Sequence, residues 1–191
     1  MQVLKGELAI LMIIVIGRMG RAQPQSARDK LQPLVETSAR RLAIAKQVAL
    51  AKWDCQAPVE DAAREAQIIA TAIKVGESRG LAPVDVSNFF RAQIEANKLV
   101  QHSLLAEWRR AGKAPPHPRV NLVNAVRAEL DQLETALIVE LADTADIRAS
   151  AACPAETAKA IEKYLAAHKV ETGALQGIAL NRAMAATCTY E

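Results

Sequence analysis

Helical spacing dominates the hydrophobic pattern of this chain. Leu34, Ser38, Arg41, Ala45, Val48 and Lys52 fall on one face of a helix expected over 27–53, and two positions on that face carry a positive charge. A second helix is expected from about Pro58 to Arg79. Glu60 and Asp61 stand in its first turn, where acids suit the helix dipole, and Gly80 is placed to cap its end. The third should run from near Pro83 to about Arg110, with Gly112 as its stop. Its stripe of Phe90, Ile94, Asn97, Gln101, Leu104 and Trp108 is apolar except for two amides. A fourth follows the proline cluster at 115–118. There Val123, Val126, Leu130, Leu133, Leu137 and Leu141 repeat at helical intervals, and Arg127 borders the stripe. Past Cys153 and Pro154, two shorter helices over about 155–168 and 174–187 are separated by Gly173. Pro33, Pro58, Pro83, the 115–118 cluster and Pro154 punctuate this series, because proline suits loops and first turns.

Composition agrees with an all-α reading. Of 191 residues, 51% are hydrophobic and only 3% aromatic, and Ala, Leu, Glu, Arg, Gln and Lys outnumber the β-branched residues that sheets favour. The length supports one helical domain of about six helices over 23–191, with a core at about 30–145 and a C-terminal segment at 146–191. The formal net charge is +3, but Lys5, Arg18, Arg21 and Glu7 lie within the first 22 positions, and removing these three bases and one acid leaves +1. With no run of five basic residues, such a body has little to hold a nucleic acid by counterion release.

The first 22 residues have the layout of a secretory signal peptide. Lys5 precedes an unbroken apolar run from Leu8 to Ile16, and Gly20 and Ala22 put small residues at −3 and −1 of a cut before Gln23. That run is too short to span a bilayer of roughly 30 Å at about 1.5 Å per residue. The expectation is an exported protein, periplasmic or secreted, with no membrane attachment after cleavage. A buried N-terminal helix or an uncleaved anchor is the alternative, given Glu7 and Arg18 beside the apolar run. Cysteine usage is compatible with export: an oxidising compartment would let Cys153 and Cys188 pair, leaving Cys55 free.

Several chemistries lack their residues. There is no Gly-rich phosphate loop, no Gly-x-Ser-x-Gly elbow and no His-Glu-x-x-His. His102, His117 and His168 are scattered, and no Cys/His cluster offers a metal site. What remains informative is polar groups on apolar faces. Arg41 and Lys52 project from one face three turns apart. Asp61, Arg64 and Glu65 share a face at i, i+3, i+4, and Asn97 and Gln101 are one turn apart. Each has an ordinary explanation alone: cations snorkelling to a rim, an Asp61–Arg64 ion pair in solvent, amides satisfied within a core. Together, three helices with polar inner faces could line one cavity, and Arg with Lys and no metal suits a small anion bearing carboxylates.

Three strings carry a family resemblance: Arg-Leu-Ala-Ile-Ala-Lys-Gln-Val-Ala-Leu-Ala-Lys-Trp at 41–53, Pro-Val-Glu-Asp-Ala-Ala-Arg-Glu at 58–65, and Phe-Phe-Arg-Ala-Gln-Ile-Glu-Ala-Asn-Lys-Leu-Val-Gln at 89–101. They resemble the all-helical chorismate mutases, and in particular their exported subclass, whose disulfide the Cys153/Cys188 pair resembles. The resemblance implies a unimolecular Claisen rearrangement of chorismate to prephenate, with no cofactor and no metal. It implies carboxylate binding by Arg41 and Arg127 with Arg64 nearby, and contact of Lys52 and Gln101 with the ether oxygen. Asp61 and Glu65 would hold the ring hydroxyl, and Asn97, where other members often carry Ser or Thr, would add a hydrogen bond to a carboxylate. Short cytosolic members take their second arginine from a partner subunit. The exported members draw it from their own fourth helix, so a homodimer is implied in which each chain completes its own site. Arg127 fits that helix best, with Arg119 and then Arg40 as alternatives. Two further readings use the same scaffold: an isochorismate pyruvate lyase of this fold, and a non-catalytic exported interaction protein.

Overall fold

Ser26 starts the first helix: its hydroxyl accepts the backbone N–H of Asp29 at 3.3 Å, satisfying one of the free donors of a helix start. The computed structural model describes residues 26–118, 126–169 and 173–189. These form eight helices: α1 (Ala27–Ala43), α2 (Ala45–Cys55), α3 (Ala62–Glu77), α4 (Pro83–Ala111), α5 (Arg127–Asp143), α6 (Ala145–Arg148), α7 (Cys153–Ala167) and α8 (Ala174–Ala183). No strand occurs among the described residues, and no helix there is long and apolar enough to cross a membrane. The proposed signal peptide, Val123 and Arg119 lie outside the described residues.

The 29-residue α4 is the spine of the fold, with α2, α3 and α8 packed against it, while α1 carries α5 and α7. Phe89 and Phe90, edge to face with ring centroids 5.8 Å apart, are buried with Leu31, Leu34, Val35 and Leu42 of α1 and Leu137 and Leu141 of α5. A smaller cluster of Ala49, Leu50, Val59, Leu105 and Trp108 closes the far end, where Trp53 meets Trp108 at 6.0 Å. Burial of these aliphatic and aromatic side chains, each contributing roughly 1.5–3 kcal/mol, is what holds the helices together. At Gly76 a Cβ would stand 2.8 Å from Cγ2 of Val86, so the missing side chain permits the close approach of α3 to α4.

Four boundaries differ from the sequence reading. The helix expected over 27–53 is interrupted at Ile44, where ψ is −21° and the buried side chain packs with Val126 and Leu133. The buried face nevertheless continues through Arg41 and Ala45 to Lys52, and Pro33 sits exposed inside α1 rather than in a loop. The second helix begins at Ala62, not Pro58. Asp61 caps it, accepting the N–H of Arg64 at 3.1 Å, so Glu60 precedes the helix. Its end is as expected: Gly80 has φ +77°, with the N–H of Leu81 bonded to the Gly76 carbonyl and that of Gly80 to Glu77. The four-residue α6 is too short to leave a periodic signal. α8 stops at Ala183 because the following chain is drawn to Arg148, whose Nε donates to the Thr187 carbonyl at 2.8 Å. Gly112, at φ +71°, ends α4 where expected, and Cys153 and Cys188 are disulfide-bonded with Cα atoms 5.8 Å apart.

Candidate active site

One cleft, with about 140 Å³ of space open to water, has a wall that includes Arg41, Lys52, Asp61, Arg64, Glu65, Asn97, Gln101 and Arg127. These side chains arrive from five helices. α1 contributes Arg41 and α2 Lys52, the start of α3 supplies Asp61, Arg64 and Glu65, α4 presents the two amides, and the first residue of α5 is Arg127. Val48, Val59, Ile68, Ile94, Val126 and Leu130 fill the wall between them. Charged groups among such neighbours are poorly screened, so a complementary anion would gain more than it would in water.

Arg41 is only 3% exposed. Its Nη1 donates to the Gln93 carbonyl at 3.0 Å, its Nη2 lies 3.7 Å from Oε1 of Glu134, and its Nε has no partner. Burial pushes its pKa down and Glu134 opposes that shift; a guanidinium remains a cation at any ordinary pH. The Gln93 side chain fixes this carbonyl in place by donating to Ser38 Oγ and to the Ala183 carbonyl, which ties α1, α4 and α8 together. Lys52 donates to the carbonyl of Val59. Partial burial lowers its pKa against the pull of Asp61, Glu60 and Glu65, in that order.

The amides form a chain. Gln101, 4% exposed, donates to Oδ1 of Asn97 at 2.7 Å, and Asn97 donates to the backbone carbonyl of Arg41 at 3.1 Å. Gln101 Oε1 is left without a partner. Asp61 and Arg64 do not form the ion pair their spacing suggests. The Asp61 carboxylate is used as a helix cap, while Arg64 reaches across to Asp131 of α5 at 3.0 Å. Glu65 accepts the N–H of Asp61 and pairs with Lys98 at 3.3 Å. Arg127 is exposed at the rim, with no acid within ion-pair distance among the described residues. Arg40 is exposed and does not line the cleft.

Lys98, which lines the cleft, and Glu134 and Asp131, which pair with Arg41 and Arg64 outside its wall, were not legible. Lys98 adjoins Asn97 at the edge of the α4 stripe, and Glu134 adjoins Leu133 on α5; each looks like a solvent-facing position until the helices are docked. Among the described residues no group of His, Cys, Asp and Glu could hold a metal ion. The arrangement is a cleft in which Arg41, Lys52, Arg64, Lys98 and Arg127 outnumber the carboxylates of Asp61 and Glu65, with two amides in its wall, a setting that suits a small anion.

Residues 32–102 match the family described as chorismate mutase type II. A solved chorismate mutase from Burkholderia phymatum is 41% identical with a TM-score of 0.80, covering 85% of this chain and 98% of that one. A chorismate mutase from Burkholderia thailandensis is 33% identical with a TM-score of 0.78, over 83% of this chain and 99% of that one. A secreted chorismate mutase of Mycobacterium tuberculosis is 29% identical over 133 residues, which is 69% of this chain and 66% of that protein.

Proposed function

The chain belongs to the all-helical chorismate mutases, isomerases that convert chorismate to prephenate, and we propose that the cleft between α1 and α5 is where it does so. The observation that carries this is the convergence of Arg41, Lys52, Arg64, Arg127 and Gln101 on one cavity. Chorismate is a dianion whose reactive chair puts its carboxylates at opposite ends. Arg41 on the buried wall and Arg127 on the open rim hold those two ends, with Arg64 beside them. Holding the chair as a near-attack conformer removes much of the entropy cost of the rearrangement. As the ether C–O bond breaks, negative charge grows on its oxygen. The Lys52 ammonium and the second N–H of the Gln101 amide would donate to that charge, which would favour the transition state over the substrate. Asp61 and Glu65 accept from the ring hydroxyl. No bond to the protein forms and no cofactor takes part.

Asn97 acts here mainly by position. Its amide is engaged at both ends, by Gln101 and by the Arg41 backbone, and it sets the spacing of the two. Every group invoked belongs to one chain, so each subunit of the homodimer that the family resemblance implies would complete its own cleft. Relatives named as secreted mutases and the Cys153–Cys188 disulfide support export, to the periplasm or beyond it, after removal of residues 1–22. The test is loss of chorismate absorbance with purified, oxidised protein, with product identified. Prephenate is expected; salicylate and pyruvate from isochorismate would assign the lyase reaction instead, and no turnover of either would leave an interaction protein.

A further inference from the structure

Arg41 is buried, and one carboxylate balances its charge. Glu134 of α5 approaches Nη2 at 3.7 Å, too long for a hydrogen bond, and its Oε1 receives no donor at all. The charged groups around it are Arg41 on α1, Asp131 one turn back on α5 and Arg64 on α3. Burial pushes the Glu134 carboxyl up, and Arg41 is the main influence holding it down. Glu134 also faces a second cleft, between α3 and α5, lined by polar groups including Gln67, Thr71, Asp131 and Thr135. Glu134 is on the wall of that cleft and not of the substrate cavity, although Arg64 and Ile68 border both.

Resting on the reading of the main cleft as the chorismate site, we propose that Glu134 is a positioning residue for Arg41 and takes up a proton from solvent when a dicarboxylate binds. With Arg64 paired to Asp131 at 3.0 Å, Arg41 alone would have to balance both Glu134 and a ligand carboxylate in a poorly screened pocket. A ligand carboxylate on Arg41 therefore weakens the hold of Arg41 on the Glu134 anion and adds a like charge nearby, and both effects raise the proton affinity of Glu134. The carboxylate becomes a neutral acid and the Arg41 charge passes to the ligand. The proton enters through the α3/α5 cleft, whose wall includes Glu134 while that of the main cavity does not. Linkage sets the sign. Where free Glu134 is ionised and bound Glu134 is protonated, each binding event consumes a proton, so affinity weakens as pH rises, by at most about tenfold per pH unit. The effect falls on KM rather than on kcat.

The experiment is calorimetric titration of the oxidised protein with prephenate, in phosphate and in Tris, at several values between about pH 5 and 8, beside the pH profile of KM. The expected result is a binding heat that depends on the buffer, corresponding to uptake of up to one proton per site. Glu134→Gln should abolish the buffer dependence and flatten the pH slope of KM. If that variant does not fold, Glu134→Asp keeps an acid and should retain uptake with its midpoint moved. A buffer-independent heat for the wild type across the range, or uptake in Glu134→Gln equal to wild type, overturns the proposal. Prephenate binding without proton uptake sinks only this inference, whereas no turnover and no prephenate binding sink the assignment of the cleft itself.

Discussion

Gln101 donates its amide to Oδ1 of Asn97 at 2.7 Å, and this bond joins a group assigned to the breaking ether to the backbone of Arg41 on α1. Asn97→Ala removes both links. It leaves the buried Arg41 carbonyl without its donor and frees Gln101 to rotate. A stability loss of about 1–3 kcal/mol is expected for the buried group left unpaired, together with a fall in kcat/KM. Thermal melts and a chorismate assay check the two parts. An unchanged kcat/KM would show that Gln101 needs no positioning by Asn97.

Lys52→Ala should lower kcat by at least about 10²-fold, the usual cost of losing one donor preorganised for a developing oxyanion. Circular dichroism should be unaltered, because the lysine contributes one bond to a loop carbonyl and no core packing. The pH dependence has a definite sign. Burial disfavours the ammonium, so the cation is lost at a lower pH than an ordinary lysine's value of about 10.4, and wild-type activity should decline on the alkaline side earlier than that value implies. A loss under about tenfold in Lys52→Ala would mark Lys52 as a rim residue.

Much of this site could be read from single helices. Spacing alone put Arg41 and Lys52 on one face and Asn97 with Gln101 on another, because a helix of fixed pitch carries those relations wherever it is docked. The glycines at 80 and 112 were legible for a similar reason: positive φ is a local demand. What could not be read was which faces meet. Glu134 and Asp131 become partners of Arg41 and Arg64 only when α5 packs against α1 and α3, across separations of 93 and 67 residues. The interruption at Ile44 is also tertiary, since no Gly or Pro marks it and its side chain is buried against residues of α5. Asp61 shows the limit within one helix: its spacing to Arg64 suits an ion pair and a cap equally, and the cap prevails.

The disulfide has a separable role. Cys153 opens α7 and Cys188 lies in the tail beyond α8, which Arg148 also holds through the Thr187 carbonyl. Reduction should cost roughly 3–4 kcal/mol for the loop it closes and lower Tm by on the order of 10 °C. Thiol titration of denatured, unreduced protein should find one thiol per chain, the exposed Cys55. Three thiols would show that the chain is not oxidised and would count against export.

His117 ties the segment after α4 to the end of α2. Its Nδ1 is 2.8 Å from the Pro115 carbonyl and its Nε2 3.2 Å from the Asp54 carboxylate. Both partners are acceptors, so only the imidazolium, with two N–H groups, satisfies both. Its pKa is accordingly raised, by the Pro115 bond first and by Asp54 against some desolvation. The stability this contact contributes is complete below the unfolded value of about 6.5 and is lost as pH rises through the higher folded value. Melting temperatures from about pH 5.5 to 8.5 should fall more steeply for the wild type than for His117→Gln. Equal slopes would remove His117 from the account.

The side chain at position 101 offers a sharper test of the breaking bond. A glutamine amide donates at every ordinary pH, whereas a glutamate could donate to the ether oxygen only when protonated. Its ionised form would also place negative charge beside an oxygen that is gaining it, which opposes the reaction. The surroundings should raise the pKa of Glu in Gln101→Glu above the usual carboxylate value of about 4.3. The position is almost fully buried, and it faces Oδ1 of Asn97, an acceptor that cannot turn over without giving up its bond to the Arg41 carbonyl. Wild-type kcat should therefore vary little between about pH 5 and 7, any proton uptake at Glu134 being expressed in KM, while kcat of the variant falls progressively as its carboxyl ionises. The measurement is a pair of kcat profiles at saturating chorismate, with folding verified at each pH. If the two profiles run parallel, Gln101 does not face the ether oxygen, and the assignment of Lys52 and Gln101 to one developing charge fails with it.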